Sequence, residues 1–186
     1  MTKHFMVDIE TLSTKSNAVV LSIGAVNFDP YSLTQHDEQT FYAELNLEQQ
    51  ANRDVSISTA KWWMEQIAQS PSGISVFTKE NKVTVRNALL LLRDFFNTCM
   101  EGEKGKVVWA CDPDFDLTIL SNLFAEYKLD HELPWKYNEA RSVRTVRMLE
   151  KEFCNKAKKQ EASHNALDDC LRQVKEIKAF YQAMRG

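Results

Sequence analysis

The segment at residues 18–28 (AVVLSIGAVNF) places the strongest constraint on the fold, because it is apolar and rich in β-branched residues almost throughout. A strand of this kind fits where both faces of a sheet are covered. Residues 5–10 form a second short apolar strand before it, and residues 40–47 alternate after it as a third strand should. The short connections between the three segments predict an antiparallel meander.

Helical periodicity dominates the rest of the chain. Ser58 or Thr59 is placed to cap a helix that carries Trp62 and Trp63. Further amphipathic helices are predicted over residues 85–99, 116–127, 143–153 and 167–184. Two more strands are predicted at residues 107–111 and 135–139. The order β-β-β-α-α-β-α-β-α-α is typical of one α/β domain, a mixed sheet with helices on its faces, and we expect that domain to span residues 1–186.

Composition narrows the class of protein. The net charge is −3, whereas a protein that holds nucleic acid through charge alone is usually basic. No apolar run reaches the ~20 residues that cross a bilayer, and the N-terminus lacks a signal-peptide core, so we expect a cytoplasmic protein with no membrane partner. The wide spacing of the cysteines argues against a structural zinc site and a disulfide framework: they are Cys99, Cys111, Cys154 and Cys170.

Two acidic residues stand two positions apart near the end of the first predicted strand. Side chains at positions i and i+2 of a strand point to the same face, so Asp8 and Glu10 project into one site. Two solvated acids on an exposed strand are the simpler interpretation, but the neighbours Phe5, Val7 and Ile9 indicate burial. Buried paired carboxylates need a compensating cation. The pair therefore predicts a metal site.

The segment at residues 112–117 (DPDFDL) follows the fourth predicted strand and holds three alternating aspartates. A calcium loop would need glycine and glutamate where Leu117 and Asn122 stand, which excludes that interpretation. We expect Asp116 to open an amphipathic helix as a candidate ligand, and Asp112 and Asp114 to be turn or capping acids.

A third segment, residues 164–169 (HNALDD), opens the last predicted helix. His164 stands just before that helix, Asp169 lies beside its apolar stripe, and Asp168 is expected to face solvent. Four carboxylates with one histidine suit Mg²⁺ or Mn²⁺, and two such ions about 3.5–4 Å apart can clamp a phosphodiester. A histidine, with an ordinary pKa of about 6.5, can take the proton from the attacking water.

Three of these segments, DIET at residues 8–11, FDLTIL at residues 115–120 and HNALDD at residues 164–169, resemble in order and spacing the three exonuclease motifs of the DnaQ-like (DEDDh) superfamily. The resemblance implies a ribonuclease H-like fold and 3′→5′ polarity. It also implies His164 as general base, and four metal ligands: Asp8, Glu10, Asp116 and Asp169.

Within that superfamily, STAKWW at residues 58–63 and RSVRT at residues 141–145 look closest to phage DexA-type exonucleases. RNase T-like exoribonucleases and the N-terminal region of some exodeoxyribonuclease VIII proteins share this look, and oligoribonuclease matches less well. The resemblance predicts a metal-dependent 3′–5′ exonuclease that acts on the 3′ end of single-stranded RNA or DNA. It would use two Mg²⁺ or Mn²⁺ ions and release nucleoside 5′-monophosphates.

Alternatives to this function stay open at the level of the sequence. They are an oligonucleotide phosphodiesterase that uses the same site, a free-standing proofreading subunit, and a non-catalytic nucleic-acid-binding module of the same fold. A degenerate module should have lost a site residue, and all five are present. A second copy of the chain is a further candidate partner, as a homodimer.

Six residues around the carboxylates are candidates for holding substrate: Thr11, Leu12, Trp62, Trp63, Phe115 and Arg144. A tryptophan that stacks on a base contributes ~1–3 kcal/mol, and we expect one of the two tryptophans to stack and the other to pack in the core. The basic stretch is otherwise interpreted as a solvated helix face, with Arg144 placed to reach a phosphate. Its residues are Arg141, Arg144, Arg147, Lys151, Lys156, Lys158 and Lys159.

Overall fold

The computed structural model describes residues 2–32, 38–69, 75–78, 82–154 and 164–185. Five strands form one mixed sheet in the order β3-β2-β1-β4-β5. Pairing is antiparallel between β1, β2 and β3, and parallel between β1, β4 and β5. The predicted meander and mixed sheet are confirmed. The strands are β1 (Thr2–Thr11), β2 (Val20–Phe28), β3 (Gln39–Glu44), β4 (Gly105–Ala110) and β5 (Ala140–Ser142).

Helices cover both faces of this sheet. They are α1 (Ile57–Gln69), α2 (Ser75–Thr78), α3 (Val85–Cys99), α4 (Asp116–Glu126), α5 (Val143–Cys154) and α6 (Ala166–Ala183). Every residue of β2 is buried, as its composition predicts. Among the described helices, none combines the length and the apolar content that a membrane-spanning segment requires.

The alternation of β1 separates two apolar layers. Phe5, Val7 and Ile9 pack with residues of α3 and α4 on one face of the sheet. Met6 faces the other way and packs with residues of α6, including Val174. Because side chains two positions apart share a face, Asp8 and Glu10 continue the Met6 side of the strand. Both acids therefore lie beneath α6.

Two local predictions are wrong. The first helix begins at Ile57, one residue before Ser58, so Ser58 and Thr59 lie inside its first turn. Ser56 precedes the helix, and its hydroxyl accepts the backbone N–H of Thr59 at 3.4 Å. The capping oxygen must stand before the helix to reach these free N–H groups.

The fifth strand is the second correction. It lies at Ala140–Ser142, whereas Tyr137–Glu139 form a 3₁₀ turn. The Glu139 carboxylate accepts the backbone N–H of Lys136 at 2.8 Å, which stabilises the turn. Trp135 supplies the apolar signal of this region, but it packs in the core as part of a loop.

The cysteines and the basic stretch are described in part. Cys99 and Cys170 are buried free thiols, and Cys111 is a half-buried one. In the basic stretch, Arg147 forms an ion pair with Glu176 (2.6 Å), whereas its other described members, Arg141, Arg144 and Lys151, are exposed. The remaining members of these two groups lie outside the described residues: they are Lys156, Lys158, Lys159 and the side chain of Cys154.

Candidate active site

The carboxyl end of β1 borders a cleft of about 370 Å³. All five residues that the sequence predicts as catalytic line this cleft. Four of them belong to β1, α4 and α6. These elements are far apart in the sequence, and the fold brings them together. The described residues that line it are Asp8, Ile9, Glu10, Cys111, Asp112, Phe115, Asp116, Arg144, His164 and Asp169.

Each carboxylate has a defined origin in the fold. Asp8 and Glu10 project from the same face of β1. Asp116 is the first residue of α4, and its Oδ2 atom accepts the backbone N–H of Asp112 at 3.3 Å. Because β4 runs parallel to β1, the turn that follows β4 lies beside the carboxyl end of β1.

The third contribution comes from the beginning of α6. Asn165 caps this helix, and its side-chain oxygen accepts the backbone N–H groups of Leu167 (3.0 Å) and Asp168 (3.2 Å). Asp169 is buried in the first turn, and Asp168 is exposed, as predicted. His164 precedes the cap in a left-handed conformation with φ of 56°.

Burial and mutual repulsion shape the ionisation of the acids. Burial raises the pKa of Asp8 well above its ordinary value, and the neighbouring Asp116, Glu10 and Asp169 carboxylates raise it further. Burial, with Asp169 and Asp116, raises the pKa of Glu10 to about 8. Burial likewise raises the pKa of Asp116 to about 7. Among the described residues, the positive charge near these carboxylates is therefore too small to keep their pKa values in the ordinary range.

The donor set fits a hard divalent cation. Of the described residues that line the cleft, five carry carboxylates and one, Arg144, is an arginine. One potential ligand atom from each of Glu10, His164 and Asp169 lies within 4.8 Å of the other two. Carboxylate oxygens are the donors that Mg²⁺ and Mn²⁺ prefer. The residues present could thus hold such ions and relieve the repulsion among Asp8, Glu10 and their neighbours.

Two side chains of α6 support the carboxylates and were not predicted. Gln173 is 1% exposed, and its Nε2 donates to Asp8 Oδ1 at 2.8 Å. Arg172 forms an ion pair with Asp169 Oδ1 at 3.1 Å. The sequence spacing between Asp169 and Gln173 indicates this role for Gln173, because residues four apart lie on one face of a helix. Gln173 therefore shares the inward face of Asp169.

The turn after β4 holds both aspartates that were predicted as turn or capping acids. Asp114 is exposed, as a turn acid should be. Asp112, which we also predicted as a turn or capping acid, lines the cleft and forms an ion pair with Arg144 (3.4 Å). The side chain of Arg144 is 68% exposed, and Phe115 lines the same cleft.

The two tryptophans occupy different environments. Trp63 is 2% exposed and packs with Val19 and Leu21, and Leu12 lies against the same cluster. The Trp63 Nε1 group donates to the carbonyl of Thr11 at 2.9 Å. Trp62 is 37% exposed, so of the two tryptophans it is the one whose side chain is accessible enough to stack on a base.

Similar structures place this geometry in a known fold. The nuclease domain of 3′hExo, a DEDDh family member bound to rAMP, has a TM-score of 0.65 and 13% identity, over 97% of this chain and 92% of that one. The S. pombe Pop2p in its Mg²⁺- and Mn²⁺-bound form has a TM-score of 0.63 and 10% identity, over 96% and 82%. These likenesses establish the ribonuclease H-like fold.

A third structure shares only part of its length with the chain. E. coli Exonuclease I, bound to a dA13 oligonucleotide, has a TM-score of 0.66 and 12% identity, with 98% of this chain matched to 41% of that one. None of the curated proteins matches the chain.

A family model decides the affiliation. It describes a 3′–5′ exoribonuclease Rv2179c-like domain and matches residues 3–181, nearly the whole chain. The predicted recognition of the DnaQ-like superfamily is confirmed. The chain belongs to the family of 3′–5′ exoribonuclease Rv2179c-like domains.

Proposed function

We propose that this protein hydrolyses the last phosphodiester bond at the 3′ end of a single-stranded nucleic acid and releases nucleoside 5′-monophosphates one at a time. The observation that carries the proposal is the convergence of four carboxylates and His164 in one cleft. The four carboxylates are Asp8, Glu10, Asp116 and Asp169.

The carboxylates would hold two Mg²⁺ or Mn²⁺ ions. When bound, such a pair activates water and stabilises the charge that develops on the phosphate and on the leaving oxygen. His164 would accept a proton from the attacking water through a neutral ring nitrogen. Water oxygen forms a bond to phosphorus, the bond from phosphorus to the 3′ oxygen breaks, and this oxygen takes up a proton from solvent while His164 returns its proton to solvent. The products are a nucleoside 5′-monophosphate and a strand shortened by one nucleotide with a free 3′ hydroxyl.

Several residues would position the strand. Arg144 lies on the rim of the cleft with an exposed side chain, where its guanidinium could bind a phosphate. Phe115 offers an apolar surface in the cleft, and Leu12 follows the first motif closely. The backbone of Thr11 is a candidate contact to the terminal nucleotide. Trp62 stays a candidate for base stacking.

RNA is the first substrate to test. The family description names an exoribonuclease, and one similar structure, the 3′hExo nuclease domain, is bound to rAMP. Exonuclease I is bound to a DNA oligonucleotide, so the same fold also serves DNA.

We further propose that residues 1–186 act as one catalytic domain in the cytoplasm. Light scattering after size-exclusion chromatography would test the homodimer.

A digestion time course with matched RNA and DNA oligonucleotides, labelled at the 5′ end, tests the proposal. With Mg²⁺ or Mn²⁺, the label should move down a ladder one nucleotide at a time, and EDTA should stop it. Strands of two to thirty nucleotides separate a general exonuclease from an oligonucleotide phosphodiesterase, which should accept only the shortest. Cleavage of a circular single strand, or activity that survives complete chelation, would contradict the proposal.

A further inference from the structure

Trp62 makes its closest aromatic contact with His164. The two ring centroids are 4.6 Å apart, and the rings are nearly perpendicular at 86°. His164 lines the cleft, whereas Trp62 is not part of that lining. Trp62 therefore contacts the imidazole from outside the space that a scissile phosphate would enter.

Trp62 is itself held by a rigid support. Its ring packs edge-to-face on Trp63, with centroids 5.3 Å apart. Trp63 is 2% exposed and is tied to the carbonyl of Thr11, the residue after Glu10. A continuous series of contacts thus runs from the end of β1 through both tryptophans to His164.

His164 lies at the start of the last helix in an uncommon conformation. It precedes the cap of α6 and adopts a left-handed φ of 56°, which non-glycine residues rarely take. The accepting nitrogen of a general base must lie within about 2.6–3.2 Å of the oxygen whose proton it removes. A displacement of about 1 Å can cost about a hundredfold in rate. The imidazole is therefore sensitive to whatever fixes its ring.

We propose that Trp62 is a positioning residue for His164: it holds the imidazole in the orientation in which His164 faces the cleft. This inference rests on the proposed function, in which His164 is the general base. It assigns Trp62 a role that does not depend on a nucleobase. A stacking residue would instead act only on substrates that carry a base at the contact.

A substrate without a base separates the two roles. An oligonucleotide whose last nucleotides at the 3′ end are abasic tetrahydrofuran residues offers phosphodiesters without a ring that could stack on Trp62, and its hydrolysis by the wild-type protein with Mn²⁺ is an independent test of the proposed function. Trp62→Ala should lower kcat about ten- to a hundredfold on this substrate and on RNA alike. Trp62→Phe should keep most of the rate, because a ring remains. Full activity of Trp62→Ala on the baseless substrate would overturn the proposal.

A double-mutant cycle tests whether Trp62 acts through His164. In a His164→Ala background, Trp62→Ala should cause no further loss of kcat, because there is no imidazole left to position. A further loss of the same size as in the wild type would contradict the proposal. Met64→Ala is the matched control, since Met64 lies on the same helix and is 70% exposed. Circular dichroism melts would verify that each variant is folded.

A spectroscopic readout keeps the test independent of activity. The indole ring current should displace the Hε1 resonance of His164, assigned with the His164→Ala variant. Trp62→Ala should return that resonance toward the position of a solvated histidine, and Trp62→Phe should move it only in part. A resonance that is the same in Trp62→Ala and the wild type would overturn the inference, whatever the activity of the protein.

Discussion

Gly24 of β2 lies so close to the backbone of Ala166 in α6 that position 24 has no room for a side chain. A β-carbon on Gly24 would lie 2.4 Å from the carbonyl carbon of Ala166. Gly24 is also the partner of Asp8 across the β1–β2 pair. The first turn of α6 therefore rests on the sheet beside Asp8. This close approach brings His164 and Asp169 to the carboxylates of β1.

Gly24→Ala should accordingly displace α6 and damage both stability and catalysis. The contact is with backbone atoms, which cannot rotate away, and overpacking of this kind costs about 1–3 kcal/mol of the free energy of unfolding. Urea denaturation and exonuclease rates would measure the two effects. Gly105→Ala is the control, because its β-carbon would meet only the side chain of Thr2, at 3.3 Å. Equal stability of the two variants would contradict the explanation.

The raised pKa values predict how the metal-free protein responds to pH. The pKa of Glu10 rises from 4.5 to about 8 on folding, and that of Asp116 from 3.8 to about 7. The folded state thus holds more protons than the unfolded state between about pH 4 and 8. In EDTA, the contribution of these two groups to the free energy of unfolding should be greatest below pH 4, and it should fall as the pH rises toward 8. The loss accumulates over the pH range in which Glu10 and Asp116 give up their protons in the folded state.

Thermal melts in EDTA across this pH range, repeated with Mg²⁺ or Mn²⁺, would measure the effect. Bound cations should recover the stability at pH 8, because they replace the missing protons. Glu10→Gln should reduce the slope and raise the melting temperature in EDTA at pH 8, while it abolishes hydrolysis. A slope that is the same in Glu10→Gln and the wild type would show that Glu10 is not the titrating group.

Gln173 should act on metal affinity through Asp8. Its amide nitrogen donates to Asp8 Oδ1 at 2.8 Å within the protein interior, and loss of such a supporting partner typically lowers metal affinity about 10–100-fold. Gln173→Ala should therefore need more Mg²⁺ for half-maximal activity, and should bind Ca²⁺ more weakly in calorimetry. Lys175→Ala, an exposed change on the same helix, should leave both values unaffected. Unchanged metal affinity in Gln173→Ala would show that Asp8 holds its orientation without this hydrogen bond.

Local patterns in the sequence are sufficient to predict where the side chains of Asp8, Glu10 and Asp169 point. The period-2 alternation of β1 decides that Asp8 and Glu10 share a face, and the apolar stripe of α6 decides that Asp169 points inward. These signals are strong because burial selects residue types at every second position of a strand or every third and fourth position of a helix.

Partners that are distant in sequence explain what local patterns could not supply. The strand β5 has only three residues, and its pairing with β4, such as Trp109 with Arg141, sets its position. Trp62 and Trp63 are adjacent and alike, yet only Trp63 packs with Val19 and Leu21 and donates to the carbonyl of Thr11. Likewise, Gln173 acquires its role from Asp8, which lies across the interface between β1 and α6.

His164 is expected to contribute to the rate far more than to binding. General base catalysis contributes about 10²–10⁴-fold, so His164→Ala should lower the single-turnover rate by that factor. Fluorescence anisotropy with Ca²⁺ and a labelled oligonucleotide should give nearly the wild-type Kd, because the four carboxylates are intact. Asp168→Ala, an exposed change close by, is the control for disturbance of the helix start. If His164→Ala turns over at nearly the wild-type rate across about pH 6 to 9, His164 does not serve as the base.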